Sequence, residues 1–436
     1  MLYKLKTILI GVLLIAVTGC SININTKDLN VVPLETDIPK QSAVIDSYDE
    51  FWSAIQHFDF DYINRYKVSD VERNFVRGLE LMFDGDFDDA TELYSTLFIN
   101  ADASLMKENI STILQALLSF NYEWSKLIEL DSQLPAGLDE ENSIAFARAF
   151  NTMPPECITF PDQATVLPTD LSISGVPIIE VMVNGKKQNF WIDTGAEMSV
   201  LASDIAKKCR VREYRDDIVQ MGTSTEIVID SWPGVIDELR IGDITIENHP
   251  IIVIDKSNLE FRLFKIFKLI GIDGILGWNA IMNLSMEIDY KNGLTTIKKP
   301  EKDFNPEPNF HYAGVPFLSL TDTLGTPFNF FFDTGANKSS LYEPSLLKVD
   351  TLHASHSKSI VGGAGGGQMI KHLELPQQAF VFGQNRLNFG SIDVHGDGEH
   401  YFLFFDGIIG SDIAKNGTLI LDFQNGRCEL KLSDSE

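Results

Sequence analysis

Between residues 46 and 150 apolar positions recur at helical spacing, and Pro135 is the only proline among them, a pattern that predicts an all-α array of antiparallel helical hairpins. Pro154, Pro155, Pro161 and Pro168 then crowd residues 151–172, which read as a Pro-rich linker. From residue 173 onward the texture is strand-like. There the chain repeats itself: Gly175-Val176-Pro177 returns as Gly314-Val315-Pro316, and Trp191-Ile192-Asp193-Thr194-Gly195-Ala196 as Phe331-Phe332-Asp333-Thr334-Gly335-Ala336. Later, Asp273-Gly274-Ile275-Leu276-Gly277 returns as Asp406-Gly407-Ile408-Ile409-Gly410, and Asp289-Tyr290-Lys291-Asn292-Gly293 as Asp422-Phe423-Gln424-Asn425-Gly426. Paired landmarks in one order predict two copies of one β domain, 173–300 and 301–436. Each copy is expected to close in a hairpin, because Asn-Gly supplies the two positive φ values of a type I′ turn.

The front of the chain differs. Lys4 and Lys6 precede an apolar run over residues 8–17 and the small residues Thr18 and Gly19 before Cys20, the form of a signal sequence over residues 1–20. The run is too short to span a bilayer, which takes about 20 helical residues. Residues 21–45 are polar and irregular and read as a tether. Hydrophobic residues at 44% and charged residues at 22% fit a folded body in water. A formal charge of -27 repels phosphate backbones and argues against nucleic acid as a partner. The four cysteines are too scattered for a disulfide framework or a zinc site. With Cys20 set aside, three thiols permit at most one bridge, and no spacing says which pair among Cys157, Cys209 and Cys428 would form it.

Ala16-Val17-Thr18-Gly19-Cys20 resembles the lipobox of bacterial lipoproteins. That resemblance implies a lipid on Cys20 and a place in the bacterial cell envelope, held to the outer membrane at its periplasmic face or surface. In the helical stretch, Gly78, Leu81, Gly85-Asp86-Phe87, Ala90 and Tyr94 fall at offsets that resemble a tetratricopeptide repeat. This implies a surface for a protein partner; a structural spacer is the alternative.

The duplicated Asp-Thr-Gly-Ala resembles the aspartic proteases, and the resemblance covers about residues 173–432. It is nearest to the retropepsin-like enzymes, which assemble from two identical chains, whereas both motifs here lie in one chain, as in pepsin-like enzymes. The implied fold is therefore an all-β bilobal unit of two homologous lobes, active as a monomer on peptide or protein substrates. Asp193 and Asp333 are the implied catalytic pair: two close carboxylates share a proton, so one can act as base while the other acts as acid. Thr194 and Thr334 would cross-link the two loops, Gly195 and Gly335 would let amides approach the carboxylates, and Ala196 and Ala336 complete the loops. Water is the only reactant added; no metal or other cofactor is expected.

Around residue 363 the run Gly362-Gly363-Ala364-Gly365-Gly366-Gly367 resembles a retroviral-type flap, whose tip residues Gly363, Ala364, Gly365 and Gly366 would cover substrate. A phosphate loop would need a helix after the glycines, and residues 369–375 read as strand instead. Met221, Gly222 and Thr223 mark the corresponding flap of the first copy. Residues 393–400 hold metal-ligand types at spacings that fit no metal motif and read as a solvated turn. Residues 261–270 and 401–405 are apolar and read as core or cleft packing. Glu197 and Asn337 stand where retroviral enzymes carry a substrate-contacting Asp, and a buried structural hydrogen bond is the alternative role. A non-catalytic peptide-binding protein on this fold, or an adaptor worked by its helical half, are the competing readings.

Overall fold

In a computed structural model of the chain, the described residues are 29–34, 50–101, 105–134, 141–222, 228–263, 267–303, 305, 307–363 and 366–432. The expected signal sequence with Cys20, and Thr223, Ala364 and Gly365 of the expected flaps, lie outside them. The described chain has a helical N-terminal region followed by a large β-rich region.

Seven helices are described before the first strand of the β-rich region: α1 (Phe51–Gln56), α2 (Tyr62–Arg65), α3 (Asp70–Phe83), α4 (Phe87–Asn100), α5 (Leu105–Phe120), α6 (Trp124–Asp131) and α7 (Glu141–Phe150). Helix α3 starts at a capping box in which the Ser69 hydroxyl accepts from the Glu72 amide and the Glu72 carboxylate accepts from the Ser69 amide. Gly78 lets α4 approach α3: a Cβ there would stand 2.6 Å from the Tyr94 ring, whose hydroxyl donates to the Phe75 carbonyl at 2.8 Å.

The β-rich region uses one pairing scheme twice. Pro177–Val183 and Lys186–Ile192 form a hairpin, and Gly274–Leu276 adds to it in parallel, with Leu276 opposite Ile192. Pro316–Asp322 and Pro327–Asp333 form the second hairpin, and Gly407–Gly410 adds in parallel, with Gly410 opposite Asp333. Gly274 and Gly407 are required by this packing, since a Cβ would run into the Phe190 ring at the first and into the Ser340 carbonyl at the second. Between the halves, Ser285–Asp289 pairs antiparallel with Gly417–Asp422, and the outer strands Leu294–Lys298 and Arg427–Leu432 flank them.

Four expectations change. The tether is not irregular throughout: Leu29–Pro33 is an edge strand on Asn385–Val394, with Leu29 opposite Phe389. An added strand needs only backbone groups and a few apolar contacts, which a short polar-flanked segment does not advertise. The Pro-rich linker also contributes strands, because Thr165–Leu171 bridges Leu294–Lys298 to Pro177–Val183, and Cys157–Thr159 pairs with residues 245–247. The Asn-Gly hairpins form, but each has a four-residue loop and only the glycine has positive φ, 65° at Gly293 and 57° at Gly426. At the first loop, the Asp289 carboxylate draws in the Lys291 and Asn292 amides and favours that longer turn. Last, residues 393–400 are a solvated turn only in part: Gly396, Asp397 and Glu399 are exposed, but Asp393 is buried against Lys338 and His372.

The helices are not a separate body. Phe58 and Phe83 pack on Phe317, Phe87 on Tyr312 and Phe423, and Trp52 on Phe402 of the apolar 401–405 run. Residues 260–271 form a small ribbon of Glu260–Leu263 against Phe267–Gly271. Cys157, Cys209 and Cys428 are all free thiols, the first exposed and the other two buried.

Candidate active site

Strands Lys186–Ile192 and Pro327–Asp333 deliver Asp193 and Asp333 to one place, and both side chains are 1% exposed. Their carboxyls are in hydrogen-bond contact with each other. The Gly195 amide donates to Asp193 Oδ1 at 2.9 Å; the Gly335 and Ala336 amides donate to Asp333 Oδ1 at 2.8 and 3.0 Å. Gly335 is obligatory, because a Cβ there would lie 2.5 Å from the Asp193 carboxyl. Burial first, then the Asp333 charge and the hydrogen bond between the two groups, hold the Asp193 carboxyl well above the ordinary range.

Two threonines tie the loops together. The Thr194 amide donates to Thr334 Oγ1 at 3.0 Å and the Thr334 amide to Thr194 Oγ1 at 3.0 Å. Each hydroxyl then donates onward, Thr194 to the Phe332 carbonyl at 2.8 Å and Thr334 to the Ile192 carbonyl at 2.9 Å. Every polar atom in this dry crossing has a partner, which fixes both carboxylates relative to one another.

Beneath each loop is a serine that the sequence reading passed over. Ser339 donates its amide and hydroxyl to Asp412 at 2.9 and 2.7 Å, while its oxygen accepts the Gly410 amide at 3.0 Å. At the equivalent offset Ser199 donates its amide and hydroxyl to Asn279 Oδ1 at 2.8 and 3.0 Å, and accepts the Gly277 amide at 3.1 Å. The equal offsets from the two Asp-Thr-Gly motifs were a readable signal. Only the first half adds His249, whose Nε2 lies 2.8 Å from Ser199 Oγ and whose Nδ1 contacts Glu156. Since the Ser199 hydroxyl proton goes to Asn279, His249 Nε2 donates to Ser199. Ser199 and His249 are both 0% exposed and support the loop from beneath.

Strands carry described residues of both expected flaps. Ser355–Gly363 and Gly366–Phe382 form a long hairpin that closes with Gly363 opposite Gly366. In the first half Val219–Met221 pairs with residues 229–231, and Met221 and Gly222 are both buried. On its outer edge, the Asn142 amide of α7 accepts from the Gln220 amide at 3.0 Å and donates to the Gln220 carbonyl at 2.8 Å. The Glu197 carboxylate stands near the Tyr312 hydroxyl, which burial and then Glu197 push well up.

Among the described residues no group of three or more His, Cys, Asp or Glu side chains could hold a metal ion, and no helix is long and apolar enough to cross a membrane.

Residues 179–280 match the aspartyl protease family model, a span that holds the first Asp-Thr-Gly and the Gly277 turn beneath it. No curated protein matches the chain. Among solved structures it is similar to a retropepsin-like aspartic protease from Rickettsia conorii, at 18% identity over 34% of this chain and 96% of that one, with a TM-score of 0.21. It is also similar to the aspartic proteinase from Irpex lacteus, at 12% identity over 62% of this chain and 98% of that one, with a TM-score of 0.40. The chain thus carries an aspartyl-protease-type unit, and peptidase function is the general assignment it supports.

Proposed function

We propose that the β-rich region is a two-lobed, retropepsin-like aspartic endopeptidase with Asp193 and Asp333 as its catalytic pair. The observation that carries this reading is the contact between two buried carboxyls on loops cross-linked by Thr194 and Thr334. One shared proton suits such a pair, because ionising both in a dry site is costly. The carboxylate takes a proton from water as the oxygen attacks the peptide carbonyl, and the protonated partner donates to the carbonyl oxygen. The tetrahedral diol collapses to acid and amine with no covalent enzyme intermediate. The pair acts as a unit, so neither residue is assigned one role.

The long hairpin closing at Gly363 and Gly366 would cover an extended peptide and exclude water. We further propose that a lipid on Cys20 holds the protein in a bacterial envelope membrane, a reading supported by the lipobox sequence alone. The test is incubation of the soluble form, starting after Cys20, with a diverse peptide library from about pH 3 to 8. Cleavage by the wild type and none by Asp193→Asn is the expected result; no cleavage at any pH would overturn the reading.

A further inference from the structure

At the seam between the helices and the first β half lies a cavity of about 620 Å³, in the size range of small-molecule sites. Its walls are aromatic: Tyr122 and Trp124 stack with centroids 5.5 Å apart and planes 19° off parallel, and Phe120 and Phe150 extend the apolar surface. Glu156 lines it too, with a side chain only 9% exposed. Tyr122 and Glu156 line the same space, and burial first, then the Glu156 carboxylate, push the Tyr122 hydroxyl well up.

The polar atoms of the lining are unevenly spent. The amide nitrogens of Asn121, Asn279 and Asn283 donate to Thr91, to Pro250 and Tyr122, and to the Asn279 carbonyl respectively. The cation in the lining, Lys126, is paired with Glu123. Among the described residues the lining keeps acceptors for a ligand, the side-chain oxygens of Asn121 and Asn283 and the second oxygen of Glu156, whose other contact is to His249, and it also holds the Trp124 indole and the Asn151 amide nitrogen as donors. An aromatic box with a carboxylate and spare acceptors suits a cation that brings several donors. We infer that this cavity binds a primary ammonium carried on an apolar body, with the ammonium at Glu156 and the body against Tyr122 and Trp124.

Such a ligand would be felt beneath the Asp193 loop. Glu156 reaches Gly277 through His249 and Ser199, and Asn279 touches both the cavity and Ser199. An ammonium beside Glu156 competes with His249 for that carboxylate, and so bears on the chain of contacts from His249 through Ser199 to Gly277. This second half rests on the proposed peptidase function, whereas binding itself does not. Every endopeptidase cleavage releases a new N-terminal ammonium, so the cavity matches the chemistry of a product.

The test uses the protein starting after Cys20 and two probes of one shape, phenylalaninamide and 3-phenylpropanamide, which lacks the amine. By calorimetry, phenylalaninamide should bind saturably and 3-phenylpropanamide at least about tenfold more weakly, a difference of about 1.4 kcal/mol. Glu156→Gln should weaken phenylalaninamide by about the same factor. Should that variant melt early, Asn283→Trp fills the cavity with Glu156 in place and should abolish binding. Equal binding of the two probes, no binding of either, or binding that survives Asn283→Trp would overturn the site. Initial rates of peptide hydrolysis should change with phenylalaninamide in the wild type and not in Asn283→Trp. Binding without a change in rate overturns the coupling alone, and an inactive wild type counts against the peptidase reading while the calorimetry still decides the site.

Discussion

Thr194 and Thr334 satisfy each other reciprocally, each backbone amide donating to the other's hydroxyl and each hydroxyl donating to the carbonyl just before the other's aspartate. Replacing one by Val therefore strands a buried amide and a buried carbonyl at once. Thr194→Val and Thr334→Val should each cost about 2–4 kcal/mol, from about 1–3 kcal/mol per unpaired buried group. Thr→Ser, which keeps the hydroxyl, should cost less than about 1.5 kcal/mol. Urea melts of the four variants check this, and equal losses for Val and Ser would show that the hydroxyls are not what joins the loops.

The dyad has a pH signature. Asp193 is raised by burial and by Asp333, so its folded-state value stands above the unfolded value of about 3.9. A group shifted in that direction contributes its full stability below the unfolded value and loses it as the pH rises through the folded value. Asp193→Asn removes the ionisation, so the variant should gain stability relative to the wild type as the pH climbs from about 4 to about 7, with no gain near pH 3. It should also lose at least about a hundredfold in peptide hydrolysis. Denaturant midpoints across that range check the first point, and a constant difference between the proteins at every pH would refute the raised value.

How far the sequence discloses this arrangement depends on how local each cause is. Asp193, Thr194 and Gly195 act through contacts within their own loop and its copy, so a repeated motif reports them. Ser199 and Ser339 were equally visible by offset, but their partners differ, Asn279 against Asp412, and that difference hid the repeat. Glu156 and His249 lie 93 residues apart, and no periodicity or spacing links a residue of a Pro-rich segment to one on a strand. The edge strand Leu29–Pro33 was missed for a related reason: its register is set by a backbone 352 to 360 residues away, in a pairing that runs from Leu29 and Phe389 to Pro33 and Asn385. That Met221 is buried was not legible either, because burial, unlike a turn, leaves no local mark.

Asn142 closes the outer edge of the strand Val219–Met221 by pairing both backbone groups of Gln220. Helix α7 thus occupies the place where a further strand could add. In Asn142→Ala the Gln220 amide should exchange its hydrogen about fivefold faster, the loss of one net hydrogen bond of about 1 kcal/mol. Exchange measured by mass spectrometry on the peptide around residue 220 reads this directly, and unchanged protection would show that the strand is held by its other neighbour, residues 229–231.

The helical region should prove inseparable from the β-rich region. Phe87, 8% exposed, packs on Phe120, Tyr312 and Phe423, so it joins α4 and α5 to the second half. Phe87→Ala should destabilise the whole chain by about 3–5 kcal/mol. A chain of residues 151–436 would expose Phe317, Phe405, Tyr312 and Phe423 together and should aggregate. A soluble, active 151–436 fragment would restore the reading of the helices as a detachable docking module.

The two halves meet through strands of one chain, Ser285–Asp289 against Gly417–Asp422, with every described contact between Thr194 and Thr334 also internal. Covalent connection sets the local concentration of one half around the other, at about the millimolar level for a short linker, far above any working enzyme concentration. Initial rates for the protein starting after Cys20 should therefore stay proportional to enzyme concentration over about a thousandfold dilution. If the site instead formed between chains, dilution below the dissociation constant would make the rate fall with the square of concentration. Mixing Asp193→Asn with Asp333→Asn separates the cases further: each chain spoils its own dyad, so the mixture should stay inactive, whereas exchange of halves between chains would return activity.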